Sequence, residues 1–579
     1  MLHHKSFNDL KKNLKKDFSG FESRRVALLG DSATQLISQA IKGYGYELQV
    51  SFDIYEADYN QIEQQVFDMS SKLYQLKPEF VVIFHSTQKL IKKFYQDSLA
   101  QRAKFADRHI DYVLTIYETI SSVLSSKVIY FNFLEVNDSI FGNYTNKVEA
   151  SLLFQLRKIN FELMRLSQKC RNLYINDISS LQNIYGNNFI SDSKAYVNAE
   201  IAFSIDFTPI VAKNVVDIAA SILGKFKKCL VLDLDNVVWG GIIGDDGMEG
   251  IQIGDLGVGK AFTEIQLWAK NLKERGIILA VCSKNDEHAA KEPFLKHPDM
   301  ILRLDDIAVF VANWNNKVDN IKHIQSVLNI GFDSMVFLDD NPCERDAVRS
   351  GIAHITVPEI PEDPAERLNY IRTLNIFETA SFTHEDEART RQYQQEAQRS
   401  TAQKKFTSQD DFLRSLNMSS IVKPFERFTI PRAAQLTQRS NQFNLRTVRY
   451  SDEEIQRIAY SVDYFTFSFS LKDKFGDHGL VSVIILKKDA GALFVDTWIM
   501  SCRVLQRTME NFALNQIAEL AIREGFSELV GEYLPTAKNG MVKDFYSKLG
   551  FANVNNHWVL ELSGYGKKTS FITRTEDGK

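Results

Sequence analysis

The stretch VLDLDNVVWGGIIGDDG, residues 231–247, runs an apolar segment straight into two acids, Asp233 and Asp235, and then into a glycine-rich turn. Strand residues alternate faces, and polar residues just past the carboxyl end of a parallel strand face the crevice where α/β sheets hold ligands. Two carboxylates crowded there are costly, because like charge and burial each disfavour ionisation. A divalent cation removes the conflict, and magnesium favours oxygen ligands from one or two carboxylates together with phosphate. Three further segments extend the set: AVCSKN ends in Ser283 and Asn285, NWNNKVDNI carries Lys317, and VFLDDNP ends in Asp339 and Asp340. Two acids, a hydroxyl, a lysine and two more acids, in that chain order, divide the labour of phosphoryl transfer. One carboxylate attacks phosphorus, a cation and a lysine neutralise the phosphoryl oxygens, and a second carboxylic acid protonates the leaving oxygen.

Those residues need a frame, and the apolar patterning supplies one. From about Arg25 to Leu223 the strand candidates are VALLG, YELQVSFD, FVVIFH and KVIYFNF, separated by helical stretches. A second alternation runs through KKCLVLDLD, GIILAVCS, MILRL, SMVFLDD and HITVP, with a helix expected over 261–275. Alternation of this kind predicts α/β domains with mostly parallel sheets. The segment THEDEARTRQYQQEAQRSTAQKK, residues 383–405, reads as a solvated helix or linker. From about Met418 to Gly564, antiparallel strands (GLVSVIILKK, ALFVDTWIM) mix with a long amphipathic helix near 505–524, and Tyr565–Lys579 reads as a loose tail.

Composition narrows the class. The 579 residues are 44% hydrophobic and 25% charged with a formal net charge of -4, which disfavours nucleic acid or an anionic membrane as the main partner. The cysteines, Cys170, Cys229, Cys282, Cys343 and Cys502, show no CxxC spacing, which fits a reducing compartment better than a zinc ribbon or a disulfide framework. No segment approaches the roughly 18 apolar residues of a membrane span, and the basic N-terminus lacks a signal-peptide core. The expectation is a multidomain cytoplasmic protein.

The block 225–380 resembles the haloacid dehalogenase (HAD) superfamily, whose opening motif is DxDx(T/V), and LDLDNVVWGGIIGDDG closely resembles the signature of its FkbH-like, subfamily IIIC members. The resemblance implies an aspartyl-phosphate mechanism that uses Mg2+. Asp233 is then the nucleophile and a metal ligand, and Asp235 the general acid/base that also offers its backbone carbonyl to the metal. Ser283 and Asn285 bind phosphate, and Lys317 is the third-motif lysine. Asp340 is implied as a direct metal ligand and Asp339 as the partner of Lys317, although the two roles could be reversed. Only residues 234–282 separate Asp233 from Ser283, too few for a large cap domain, so the site is expected to be open to bulky substrates or a partner.

The block 418–565 resembles N-acetyltransferases of the GNAT fold through PTAKNGMVKDFYSKLGF. In place of the usual pyrophosphate loop (R/Q)xxGx(G/A) it reads RVLQRT, with Gln506 and Thr508 where glycine lets the backbone approach coenzyme A. FkbH-like proteins join such a domain to the HAD domain and share the motif SCR. They are associated with making a glyceryl thioester on an acyl carrier protein from a phosphorylated three-carbon donor. Cys502, followed by the basic CRVLQR, is a candidate thiolate with His478 as a possible base; a packed cysteine and a turn histidine are the alternatives. Asn441, Gln442, Phe443 and Asn444 could line a pocket or pack as a loop.

In the first block, ALLGDSATQ places Gly30, Asp31 and Ser32 after a strand and resembles the GDS motif of SGNH-type esterases. The matching DxxH element is missing, since Asp206 is followed by Pro209. Ser32 is therefore expected to cap the next helix, and the block to bind rather than hydrolyse. The whole then reads as an SGNH-like α/β domain (1–224), a capless HAD domain (225–380), a charged linker (381–417) and a GNAT-like α+β domain (418–565). The leading function is a magnesium-dependent phosphatase and glyceryltransferase acting with an acyl carrier protein. The alternatives are a HAD phosphatase on a small sugar or glycerol phosphate, or an assembly scaffold.

Overall fold

The computed structural model describes residues 5–383, 389–403, 406–440, 443–489, 491–501, 504–536, 539–555 and 557–576. Its architecture is mixed α/β in several sheets, and among the described residues no helix is long and apolar enough to cross a membrane. The chain divides into two compact units, one of residues 1–221 with 373–378, the other of residues 222–372 with 379–579.

The first unit is built on β1 (Glu22–Gly30), β2 (Val50–Glu56), β3 (Phe80–Phe84), β4 (Lys127–Phe131) and β5 (Leu173–Asn176). All are parallel, in the order β2-β1-β3-β4-β5. Successive residues such as Val81, Val82 and Ile83 are all buried, as a parallel sheet covered on both faces requires. The strand order reverses between β1 and β3, and the GDS segment lies at that crevice. The helix after β1 is Gln35–Leu48 with Thr34 at its N-cap, so Ser32 does not cap it as the sequence led us to expect. The Ser32 hydroxyl instead lies 3.0 Å from Asp31 Oδ1 and 2.8 Å from Ser86 Oγ, buried beneath the crevice.

The second unit holds two sheets. The first contains β6 (Cys229–Leu232), β7 (Ile278–Ser283), β8 (Ile307–Ala312) and β9 (Met335–Leu338), all parallel, in the order β8-β7-β6-β9. The second begins with β10 (Met418–Lys423), β11 (Tyr464–Asp473), β12 (Gly476–Asp489) and β13 (Ala492–Met500). It continues with β14 (Glu528–Gly531), β15 (Ala552–Val554), β16 (His557–Glu561) and β17 (Ile572–Thr575). The eight run β15-β16-β14-β13-β12-β11-β10-β17 and are mostly antiparallel, with the helix Met509–Arg523 crossing between the parallel pair β13 and β14.

Two segments read as solvated are structural. The tail is not loose: β17 pairs in parallel with β10. The Gln-rich segment forms the helix Arg389–Gln403, and it is not a solvated linker. Tyr393 enters the core of the four-stranded sheet, and Gln394 donates to the carbonyls of Asp305 (3.2 Å) and Ile307 (3.0 Å). Six residues on, Arg399 Nε donates to Asp473 Oδ2 at 2.9 Å, with both side chains almost wholly buried. Composition misled because this helix buries polar groups with partners, which a hydropathy pattern cannot see.

Arg399→Met takes from the buried Asp473 the nearer of its two guanidinium groups, leaving Arg507 at 3.4 Å, and is expected to cost about 3 kcal/mol. Urea denaturation should show the lower midpoint, and adding Asp473→Asn should recover part of the loss.

Candidate active site

Asp233 follows β6 directly, and its N–H donates to Leu338 O at 2.9 Å, so the strand pairing with β9 carries the residue to the sheet's carboxyl edge. Lys317 arrives as the first residue of the helix Lys317–Leu328, whose start is fixed by the Asn316 side chain accepting from Asp319 N at 2.8 Å. Its ammonium donates to Asp233 Oδ2 at 2.8 Å and to Asp339 Oδ2 at 2.5 Å, in surroundings that leave Lys317 4% and Asp339 0% exposed. Asp340 stands beside them: one oxygen each from Asp233, Asp339 and Asp340 lies within 4.8 Å of the others. Asp233 Oδ1 is buried and has no hydrogen-bond partner among the described residues. A buried carboxylate oxygen without a donor is costly, and a cation is a partner that would satisfy it. The donor set, three carboxylates beside one ammonium, therefore fits a hard divalent ion.

Asp235 is held differently. Its Oδ1 accepts from Trp239 Nε1 (2.9 Å) and Ile243 N (3.1 Å), and its Oδ2 from Asn285 Nδ2 (2.9 Å). The same amide nitrogen lies 3.1 Å from Ser283 Oγ, so Asn285 links the second acid to the hydroxyl at the end of β7. The turn that swings Asp235 into place needs left-handed backbone at Asn236 (φ 52°) and Gly241 (φ 89°), and the Asn236 side chain accepts from Gly241 N at 3.0 Å. Arg367 donates to the Asn236 carbonyl, and Gln266 donates to Val238 O at 2.8 Å. Between Asp233 and Ser283 the chain forms this turn, a short helical segment Ile243–Gly250 and the crossover helix Gly259–Glu274; no cap domain intervenes.

Charge follows from burial. Desolvation pushes the Asp233 carboxyl up to about 6, with Lys317 opposing the rise and Asp339 adding to it. Burial also raises Asp339 and Asp340. For Lys317 burial works against the ammonium, but Asp233 and Asp339 outweigh it and hold the side chain protonated well above the ordinary lysine value.

The structure thus brings Asp233, Asp235, Ser283, Asn285, Lys317, Asp339 and Asp340 to one end of one sheet. Trp239 and Arg367 escaped the sequence reading. A tryptophan in an apolar run and an arginine in a polar helix carry no mark of the atoms they hold.

The remaining candidates lie in the eight-stranded sheet. Cys502 falls outside the described residues, as do Asn441 and Gln442. His478 is a fully buried residue of β12, not a turn residue, with Nε2 3.1 Å from Asp473 Oδ2 and 3.0 Å from an Arg399 nitrogen, and burial lowers its pKa. Phe443 packs edge-on to Phe545, and the Asn444 carbonyl accepts from Asn539 Nδ2 at 2.9 Å, so both are packed against the fold. Gln506 and Thr508 adopt φ of 63° and 62°, and Gln506 N donates to Glu510 Oε1 at 3.3 Å at the start of the long helix.

Fold and site define a class: a multidomain α/β protein with a HAD-like phosphatase domain. Residues 25–220 match the family described as FkbH, N-terminal domain. The crystal structure of the N-terminal part of BF1531 from Bacteroides fragilis, which contains a phosphatase domain and is complexed with Mg, is 52% identical. The match covers 65% of this chain and 100% of that one, with a TM-score of 0.64. The chain belongs to the same family as that BF1531 protein, and its residues 25–220 are an FkbH N-terminal domain. Weaker likenesses, over 26% and 25% of this chain, are to the ribosomal-protein-S18-alanine N-acetyltransferase of Escherichia coli (14% identity, 98% of that chain, TM-score 0.21) and the PaiA N-acetyltransferase of Thermoplasma acidophilum in complex with coenzyme A (15%, 98%, 0.19). At these scores they carry no weight for function. No curated protein matches the chain.

Lys317→Met removes the ammonium between Asp233 and Asp339 and should destabilise the protein by about 3–5 kcal/mol near neutral pH. With Lys317 present the Asp233 pKa is about 6; without the lysine, which holds it down, the carboxyl is raised further, so protonation relieves the unpaired charge as pH falls and the loss should shrink at pH 5. Urea titrations of both proteins at pH 7.5 and pH 5 check this; an equal loss at both would contradict the assignment of charge.

Proposed function

We propose that this protein is a magnesium-dependent phosphatase and glyceryltransferase. It takes a phosphorylated glyceryl donor of the 1,3-bisphosphoglycerate type, removes phosphate through an aspartyl-phosphate and passes the acyl group to a carrier-protein thiol. The observation that carries the phosphatase half is the buried Lys317 ammonium shared by Asp233 and Asp339, with Asp340 alongside and Asp233 Oδ1 unpartnered.

Asp233 and Asp340 would hold the magnesium ion together with the Asp235 carbonyl, with Asp339 turned to Lys317. When bound, the ion supplies positive charge to the phosphoryl oxygens. The Asp233 carboxylate attacks phosphorus, forming an O–P bond while the bond to the leaving oxygen breaks. Lys317, Ser283 and Asn285 bind the remaining phosphoryl oxygens. Asp235 gives a proton to the leaving oxygen, then takes one from the water that cleaves the aspartyl-phosphate. Magnesium in the complex of the 52%-identical relative supports this reading.

The transfer half assigns the acyl phosphate to Cys502. Its thiolate attacks the carbonyl carbon, a C–S bond forms, the C–O bond to phosphate breaks, and phosphate leaves. The phosphatase site then strips the distal phosphate, and a carrier thiol displaces Cys502 by thioester exchange. His478 is left out of this step, because it is buried in β12 against Asp473 and Arg399.

Intact-protein mass spectrometry tests the proposal. Wild type, Cys502→Ala and Asp233→Asn are incubated with Mg2+ and a system generating 1,3-bisphosphoglycerate, before a phosphopantetheinylated carrier is added. A glyceryl adduct is expected on wild type, a phosphoglyceryl adduct should persist on Asp233→Asn, and none should form on Cys502→Ala. Phosphate release from simple phosphomonoesters without any adduct would leave a phosphatase and refute the transfer. In wild type, phosphate release should increase with pH through the range where Asp233 loses its proton, near 6 in the cation-free protein and lower with magnesium bound.

A further inference from the structure

Arg345 lies in the helix Pro342–Gly351, which begins just past the acidic pair, and it is 5% exposed. One of its terminal nitrogens donates to two successive main-chain carbonyls, those of Asp339 (2.9 Å) and Asp340 (2.7 Å). Its Nε donates to Glu359 Oε2 at 3.0 Å, and the other terminal nitrogen stands 2.9 Å from the same oxygen. The side-chain carboxylates of the same two residues are the ones gathered with Asp233.

Two consecutive carbonyls fastened to one nitrogen fix two consecutive peptide planes, and with them the directions in which the Asp339 and Asp340 side chains leave the backbone. Asp339 is fixed further: Oδ1 accepts from Asn341 N at 2.9 Å, while Oδ2 meets Lys317. A bare guanidinium so close to a cation site would repel the ion. Glu359 offsets that charge and is itself gripped by Arg349, whose nitrogen lies 2.5 Å from Oε1. The arrangement uses the shape of the guanidinium, a rigid fork with several donors in one plane, which a lysine ammonium cannot reproduce.

We propose that Arg345 is a positioning residue for the divalent cation: it sets the backbone of the 339–340 pair so that one acid faces Lys317 and the other faces the ion. The inference rests on the phosphatase reading above and adds a residue that touches neither metal nor substrate. Partners that orient metal ligands commonly change affinity by about 10–100-fold when removed.

The test is calorimetric titration of Mg2+ into the full-length wild type, Arg345→Lys and Glu359→Gln, with circular dichroism melts of each. Arg345→Lys should bind Mg2+ about 10–100-fold more weakly. At saturating Mg2+ its phosphate release should return towards the wild-type rate, a split that a merely destabilised protein would not show. Glu359→Gln keeps the fork on both carbonyls but leaves its charge unbalanced, so it should also weaken Mg2+ binding, and it covers the case in which Arg345→Lys fails to fold. Wild-type Mg2+ affinity in a folded Arg345→Lys, or in Glu359→Gln, would overturn the proposal while leaving the phosphatase reading intact. A wild type that binds no Mg2+ would instead refute that reading.

Discussion

The site is organised around one ammonium group. Lys317 stands between Asp233 and Asp339 with all three side chains nearly excluded from solvent, and each depends on the others for its charge state. Burying a carboxylate alone would neutralise it, and burying a lysine alone would do the same. Together they can be ionised inside a protein, but the balance is incomplete. One ammonium faces three gathered carboxylates, and Asp233 Oδ1 has no partner among the described residues. This imbalance suits a cation and phosphate site better than a structural ion pair.

The fold delivers that geometry by simple means. Four parallel strands end at one edge, and the sheet order β8-β7-β6-β9 puts the Asp233 strand between those ending in Ser283 and in Leu338, just before Asp339. Lys317 comes from a helix start beyond the edge strand, which lets a long flexible side chain reach across. The supporting contacts have a common character. Trp239 holds the Asp235 carboxylate, while Arg367 and Arg345 hold main-chain carbonyls. Side chains that carry the chemistry are positioned by neighbours that do not.

The sequence made the first group legible and left the second hidden. Carboxylates, a hydroxyl and a lysine placed directly after apolar strands stand out, because such residues have no reason to be there for stability alone. Arg345 sits in CERDAVR, which reads as a solvated helix face, and only the backbone path reveals that its fork meets two carbonyls. The same blindness explains the helix Arg389–Gln403. Its glutamines and arginines look like solvent contacts, yet Arg399 is buried against Asp473. His478 in KDKFGDHGL looked like part of a turn, but the strand begins at Gly476 and carries the imidazole inside. Pattern captures where apolar surface goes; it does not capture which polar groups pay for their own burial with specific partners.

The central claim is that Asp233 receives a phosphoryl group beside a magnesium ion, and 19F NMR with beryllofluoride addresses it most directly, since that anion mimics the phosphoryl group on an aspartate. With Mg2+ present, the account predicts protein-bound fluorine resonances for the wild type that vanish on chelation and are absent in Asp233→Asn. Bound resonances of undiminished intensity in folded Asp233→Asn would contradict it and move the nucleophile elsewhere.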